Sequence, residues 1–286
     1  MNPNTRKGIL LMILSMLGFA LSDAFIKASS GVMTSGQIVL ALGIGGTILF
    51  ATICIAKGQK PFSKSFFDRA VIIRNLGESF GSMGIITSIT LIPISTVSAI
   101  QQATPLVVTL GAVLFFKESV GWRRWLAITV GFFCVLLIIR PGLDGFNPYA
   151  LFALLGMFGL SIRDLATRPV KDSVSTMQLS VYGYLVLIPT GIAVSLITGG
   201  AILPPLHTLG HAAVILLFSA IGYVTVTMSM RIAPLSDVAP FRYSRLLFAL
   251  FFGIVFFGER PDWQTYLGSF GIIMSGLVLL WREKRS

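Results

Sequence analysis

Charge is what this sequence has least of. Only 12% of its 286 residues are Asp, Glu, Lys or Arg, against 55% hydrophobic residues, and so little polar surface cannot coat a soluble globule of this size. Acidic residues are the scarcer kind, 11 against 22 basic ones, giving a formal charge of +11. Nucleic-acid binding does not follow from that excess, because the basic residues sit in short clusters between apolar runs and form no continuous stripe. Cysteine is nearly missing: Cys54 and Cys134 stand singly in apolar runs, which excludes a disulfide scaffold and a thiolate metal site. The two histidines, His207 and His211, have a zinc-compatible spacing but no nearby carboxylate or thiol, too little for a metal centre or a nucleophile and base. No loop exceeds about 15 residues, and none carries a glycine-rich phosphate cradle. The expectation is therefore a non-enzyme without cofactor, metal or nucleotide-driven pumping.

What is present is a succession of apolar runs. Ten fall at about 8–27, 36–56, 70–91, 94–116, 122–140, 148–168, 177–198, 210–231, 235–257 and 263–281, each near the roughly 20 residues that a helix needs to cross lipid. Helix is the required conformation, since lipid cannot satisfy backbone polar groups and the runs lack the alternation of barrel strands. The expected fold is an all-α membrane protein with ten transmembrane helices. Arg6 and Lys7 ahead of the first run mimic a signal peptide, but no small-residue cleavage site follows, so this run is read as the first membrane helix.

Basic residues mark alternate connections: Arg6 and Lys7, then Lys57, Lys60, Lys64 and Arg69, then Lys117, Arg123 and Arg124, then Arg168 and Lys171, and last Arg282, Lys284 and Arg285. The positive-inside rule puts these on the cytoplasmic side, with both termini, of a bacterial inner membrane. Trp122, Trp125, Trp263 and Trp281 fall at run ends, where an amphipathic ring suits the headgroup zone.

The chain also repeats. A shift of 141 residues puts Pro234 on Pro93, Ser236 on Ser95, Val238 on Val97, Phe256 and Phe257 on Phe115 and Phe116, Glu259 on Glu118 and Trp263 on Trp122. The same shift puts Gly159 on Gly18, Gly222 on Gly81, Asp164 on Asp23 and Arg168 on Lys27. Two halves, 1–141 and 142–286, each with five helices, must be inverted relative to one another because five is odd. Inverted repeats are how secondary transporters build alternating access.

These residues resemble a known family. The FGER at 257–260, its echo FKES at 116–119, the proline-led fourth and ninth runs, and FALSDAFIKA at 19–28 are similar to the EamA group of the drug/metabolite transporter superfamily. The resemblance covers the whole chain. It implies a ten-helix carrier of five-plus-five inverted topology, with a central cavity lined mainly by helices one, three, four, six, eight and nine. Members move amino acids, S-adenosylmethionine, riboflavin and other metabolites, inward or outward, so the motifs specify a scaffold and not a cargo.

Candidate site residues are the polar groups inside the runs, since an intramembrane charge faces a partner or water and not lipid. Arg242 and Arg245 lie three apart on one helical face. Their half-repeat equivalents are Gln101 and Thr104, with Gln102 matching Tyr243, so polar side chains recur at one height and cations only in the second half. That asymmetry suits a ligand with an anionic or strongly hydrogen-bonding end. Tyr182, Tyr184 and Tyr223 suit either packing or stacking on a flat ligand. Asp23 with Lys27, and Asp164 with Arg168, read as local i,i+4 ion pairs or as gate links on opposite sides of the membrane. Arg163 either snorkels or lines a cavity. Glu78 pairs locally with Arg74 or meets Arg242, each about 10–12 Å along its helix. Pro93, Pro105, Pro189 and Pro240 are expected to kink their helices, and Glu118 and Glu259 to cap or bridge at helix ends.

The substrate site is thus expected from Arg242, Arg245, Tyr243, Glu78, Gln101, Gln102 and Tyr223, and gating or coupling from Asp23, Asp164, Lys27 and Arg168. The reading is a secondary transporter for a small polar metabolite, a vitamin such as riboflavin or a nucleoside-like compound, with protons as the candidate coupling ion and the lipid bilayer as surroundings. An amino-acid or drug/metabolite exporter on the same scaffold is the alternative. A non-transporting scaffold or an intramembrane enzyme explains fewer of the features.

Overall fold

Because each backbone group in lipid must find its partner within its own segment, apolar runs of this length leave helix as the outcome. The computed structural model describes residues 3–117, 121–143, 146–171, 173–198, 201–233 and 235–283, and no strand occurs among them. The helices are α1 (Pro3–Ser29), α2 (Ser35–Ala56), α3 (Arg69–Leu91), α4 (Ile94–Gln101), α5 (Thr104–Phe116) and α6 (Trp122–Ile139), then α7 (Ala150–Thr167), α8 (Thr176–Thr198), α9 (Leu209–Ile232), α10 (Leu235–Val238), α11 (Ser244–Phe257) and α12 (Trp263–Glu283). Short 3₁₀ turns cover Lys64–Phe67, Leu206–Thr208 and Ala239–Tyr243. Glu118, Pro234, Lys284 and Arg285, and the side chains of Arg124, Ser236, Trp281 and Arg282, lie outside the described residues.

The elements follow the ten apolar runs, and seven segments are long and apolar enough to cross a membrane, with Trp125–Ile139 a shorter apolar helix. Arg69, Arg74 and Glu78 put more charge into α3 than such a segment usually carries. Large side chains are exposed along the helices, Phe115 and Ile197 among them, as expected where acyl chains are the solvent. Trp122 and Trp263, the first residues of α6 and α12, are exposed too.

Two runs are broken helices. The fourth is interrupted at Gln102 and Ala103, and Pro105 lies in the first turn of α5, where its missing N–H costs nothing. The ninth passes from α10 through the 3₁₀ turn, which Pro240 opens, and resumes at Ser244. Gln102 and Tyr243, the residues at the two interruptions, are 141 apart. Pro189 alone among these prolines stands inside a continuous helix.

The chain divides into two compact units, each drawing on both halves of the sequence. One comprises Met1–Phe25, Ile92–Ala150 and Leu217–Ser286. Here α1 meets α9 where Gly18 faces Gly222, and a Cβ on Gly18 would lie 3.0 Å from the Gly222 nitrogen. Ser15 donates to the Gly222 carbonyl at 2.6 Å and Ser229 to the Gly8 carbonyl at 2.7 Å, the small-residue contacts that let membrane helices approach. Met12, Met16, Ala233 and Val238 form the adjoining apolar cluster, and α12 packs along α6, with Gly268 against the Cys134 carbonyl.

The other unit comprises Ile26–Leu91 and Leu151–Leu216. In it α2 runs along α8, where Gly36, Gly43 and Gly191 leave no room for a side chain. The helix α3 meets α7 through Gly77, Gly81 and Gly159, and a Cβ on Gly77 would lie 2.6 Å from the Arg163 nitrogen. Gly81 faces Gly159, so the two glycine crossings, Gly18 on Gly222 and Gly159 on Gly81, occupy positions 141 apart.

Candidate functional site: a charge cluster in each unit

In the first unit the key link joins α1 to α11. Asp23, buried on α1, accepts hydrogen bonds from Nη2 and Nε of Arg245 at 2.7 and 3.2 Å. The guanidinium also lies 5.3 Å from the centre of the Phe19 ring, one turn before Asp23, a distance at which a cation is held by the ring face. The expected Asp23–Lys27 pair is corrected by this geometry: the partner of Asp23 is Arg245, 222 residues away. An arginine reaching from a neighbouring helix presents a fork that a lysine one turn along the same helix cannot match.

The interruptions of the fourth and ninth runs meet beside this pair in sequence. The Gln102 amide donates to the Arg242 carbonyl at 3.3 Å. Gln102 and Tyr243 are buried, while Gln101, Tyr223, Arg242 and Arg245 are half-buried. Tyr243 packs toward α12 over Gly276, and its buried hydroxyl has no hydrogen-bond partner among the described residues. So Arg242, Tyr243, Arg245, Gln101, Gln102, Tyr223 and Asp23 share one unit, and the 3₁₀ turn places consecutive side chains of the ninth run on different sides.

In the second unit four charges and an amide cluster where α3 crosses α7. Glu78 lies 3.7 Å from Nη2 of Arg74 and 3.5 Å from Nη1 of Arg163. Arg163 also donates to Asp164 at 2.9 Å, Arg74 donates to Asn75 at 3.1 Å, and Ser82 donates to Glu78 at 3.3 Å. Gly183 of α8 leaves the space: a Cβ there would lie 3.1 Å from Nη1 of Arg74 and 3.4 Å from a Glu78 oxygen. The second local pair is also corrected. Asp164 is bound by Arg163 and not by Arg168, which is exposed. Arg163 does not snorkel, because it bridges the two carboxylates of this cluster. Two acids and two bases balance, as a poorly solvated interior favours.

Other expected groups have structural partners. The Tyr182 hydroxyl bonds Ser63 and its ring meets Phe66 edge-on, and Tyr184 stacks on Phe50, so both pack. His211 bonds Ser29 at 3.0 Å, and no cluster of three or more metal-ligating side chains occurs among the described residues. Glu259, expected at a helix end, caps α4: it accepts from the Ile94 and Ser95 amides at 2.6 and 3.1 Å and from the Ser95 hydroxyl at 2.6 Å. Sequence reasoning missed Phe19, Ser95 and Gly183. Spacing along one helix points to none of them, because each acts through a different segment.

Known proteins resemble this chain along its length. An S-adenosylmethionine uptake transporter of Rickettsia prowazekii is 24% identical over 285 residues, 98% of this chain and 94% of that one. A riboflavin transporter of Rhizobium johnstonii is 28% identical over 194 residues, 68% of this chain and 64% of that one. A protein of known crystal structure, 14% identical, matches the fold with a TM-score of 0.61 over 98% of this chain and 99% of its own. With the EamA-like transporter family matching residues 6–140 and again 147–282, the chain belongs to that family and is a multi-pass membrane transport protein.

Proposed function

We propose that this chain is a secondary transporter that carries a small polar metabolite across the cytoplasmic membrane of a bacterium by alternating access. The halves 1–141 and 142–286 act as inverted five-helix repeats in ten membrane spans, with both termini cytoplasmic. The observation that carries the reading is charge held in mutual pairs within apolar helices, Asp23 with Arg245 and Glu78 with Arg74 and Arg163, where burial is costly and function is its usual reason.

The cargo is a nucleoside-like compound or a vitamin. Relatives named for S-adenosylmethionine and riboflavin support that class, and so do polar groups able to engage a heterocycle and a charged tail. Arg242, Arg245, Gln101, Gln102 and Tyr223 contact the cargo, Tyr243 shapes the turn from behind them, and Glu78 couples transport to protons. The gating links are Asp23–Arg245 and Asp164–Arg163. Lys27 and Arg168, each one turn beyond its acid, supply the alternative partner when a link opens. A free amino acid is the rival cargo, favoured by the half-buried cation of the Asp23–Arg245 pair.

The test is a thermal-shift screen of the purified protein against flavins, nucleosides, amino acids and organic acids, followed by uptake into proteoliposomes. A ligand of the native state raises the melting temperature by mass action. We expect a nucleoside-like or flavin compound to do so and to be carried, with both effects lost in Arg245→Ala. Uptake of none of these classes by folded protein overturns the reading.

A further inference from the structure

The Asp23–Arg245 pair has bonding capacity to spare. Both hydrogen bonds from the guanidinium run to one oxygen, Oδ2. The second oxygen of Asp23 and Nη1 of Arg245 have no hydrogen-bond partner among the described residues. Arginine ordinarily spends its fork on both oxygens of a carboxylate, so this pair is less saturated than its chemistry allows. The Arg245 side chain is 18% exposed and that of Asp23 is 8% exposed. In an apolar segment, exposure of a cation faces water, because lipid does not solvate it. Phe19 gives the guanidinium a second hold on α1, which persists when its hydrogen-bond partner changes.

We propose that this pair receives the zwitterionic α-amino-acid end of the transported metabolite, the ligand carboxylate on Arg245 and its ammonium on Asp23. The proposal rests on the transporter reading above and narrows its cargo to compounds that carry such an end. Donors free on Nη1 match the acceptors of a carboxylate, and lone pairs free on Oδ1 match the donors of an ammonium. Charge balance selects the same ligand. A neutral pair plus a zwitterion leaves every charge with an opposite neighbour. A lone carboxylate or a lone ammonium would leave one unmatched charge in a poorly solvated interior, the arrangement that burial penalises most. Entry of the zwitterion replaces direct contact between α1 and α11 with contact through the ligand, so occupancy is felt by both helices.

The experiment measures binding of matched compounds to the purified full chain. S-adenosylmethionine is compared with its decarboxylated form, and L-methionine with 4-(methylthio)butanoate, which lacks the amine. Riboflavin, which has no such end, completes the set. The intact end should bind about 100-fold more tightly than either truncated form, the scale of losing one partner of a desolvated charge pair. Asp23→Asn should lose sensitivity to the amine alone, and Arg245→Gln sensitivity to the carboxylate alone. The double variant removes both charges, keeps the interior neutral and should bind intact and truncated compounds equally. Discrimination that survives in the double variant, or truncated compounds and riboflavin bound by the unaltered protein as tightly as intact ones, overturns the proposal. Carriage of a compound without end-group preference overturns this proposal alone, whereas carriage of none in proteoliposomes overturns the transporter reading as well.

Discussion

Glu259, in the turn after α11, holds the N-terminus of α4 through Ser95, whose amide and hydroxyl both donate to the same carboxylate oxygen at 3.1 and 2.6 Å. The Ile94 amide takes the other oxygen at 2.6 Å. Proline at position 93 starts α4 but offers no side-chain cap, so a glutamate 166 residues later does what an N-cap residue ordinarily does, with a charge suited to the positive end of a helix. Glu259→Ala should destabilise the protein by about 2 kcal/mol, the usual worth of hydrogen bonds to an ionised group. Glu259→Gln, which keeps acceptors on one atom only, should cost about half that. Equilibrium unfolding in detergent reads both values, and equal stability of Glu259→Ala and the unaltered protein would show that α4 needs no cap.

The ends of α5 and α11 differ in a way that favours a stabilising change. Both helices close on a left-handed residue, Gly258 at φ 61° and, 141 positions earlier, Lys117 at φ 54°. Glycine takes that conformation without penalty, while a residue with a Cβ is strained by roughly 1 kcal/mol. Lys117→Gly is expected to raise stability by about that amount, with transport unchanged. A lower melting temperature in the variant would count against strain at this position.

The sequence carries the helices plainly and the pairings poorly. Ten runs became helical segments because lipid permits little else, and proline in the fourth and ninth runs foretold interruption. The partner of Asp23 was hidden by distance along the chain. Spacing suggested Lys27, four residues on, whereas folding supplied Arg245. Depth held a usable signal, since Asp23 lies 15 residues into the first run and Arg245 ten into the ninth, a difference in height of roughly 7 Å that one arginine spans. Asp164 misled in the same way, its neighbour Arg163 prevailing over Arg168 because the crossing at Gly77 brings Glu78 to the same guanidinium. Side-chain partners across helices depend on which glycines let backbones meet, and one sequence does not rank those contacts.

Outside the apolar segments, the Asp262 carboxylate begins α12. It accepts from the Thr265 amide at 2.8 Å and pairs with Arg140. Burial pushes its pKa up, but the hydrogen bonds from Arg140 and Thr265 outweigh that and hold it below the ordinary value of 3.8. A carboxyl lowered on folding contributes stability that is complete above the unfolded pKa and vanishes as pH falls through the folded one. Arg140→Gln should therefore lower the melting temperature at pH 6–7, modestly because Asp262 is partly exposed. The difference should close toward about pH 2, where the carboxyl is protonated with or without the arginine. A difference that is constant across this range would point to packing of the Arg140 stem instead of its charge.

Glu78, proposed above to couple transport to protons, is shared by two arginines and neither contact is short: Arg163 at 3.5 Å, Arg74 at 3.7 Å. Arg163 also pairs with Asp164 at 2.9 Å, so a neutral Glu78 would leave Arg163 with a counter-charge and deprive Arg74 alone. Glu78→Gln should abolish the dependence of uptake on a pH gradient. The substitution also leaves Arg74, buried on α3, with one counter-charge fewer, and breaking such a pair costs up to about 3–5 kcal/mol. Arg74→Gln with Glu78→Gln restores the balance and separates the two effects. If Glu78 is the proton site, the single and double variants both equilibrate substrate without responding to the gradient, and the double variant is the more stable. If the cluster only holds α3 in place, the double variant recovers stability and gradient response together, which removes Glu78 from the coupling mechanism and leaves Asp23 and Asp164 to be tested in the same way.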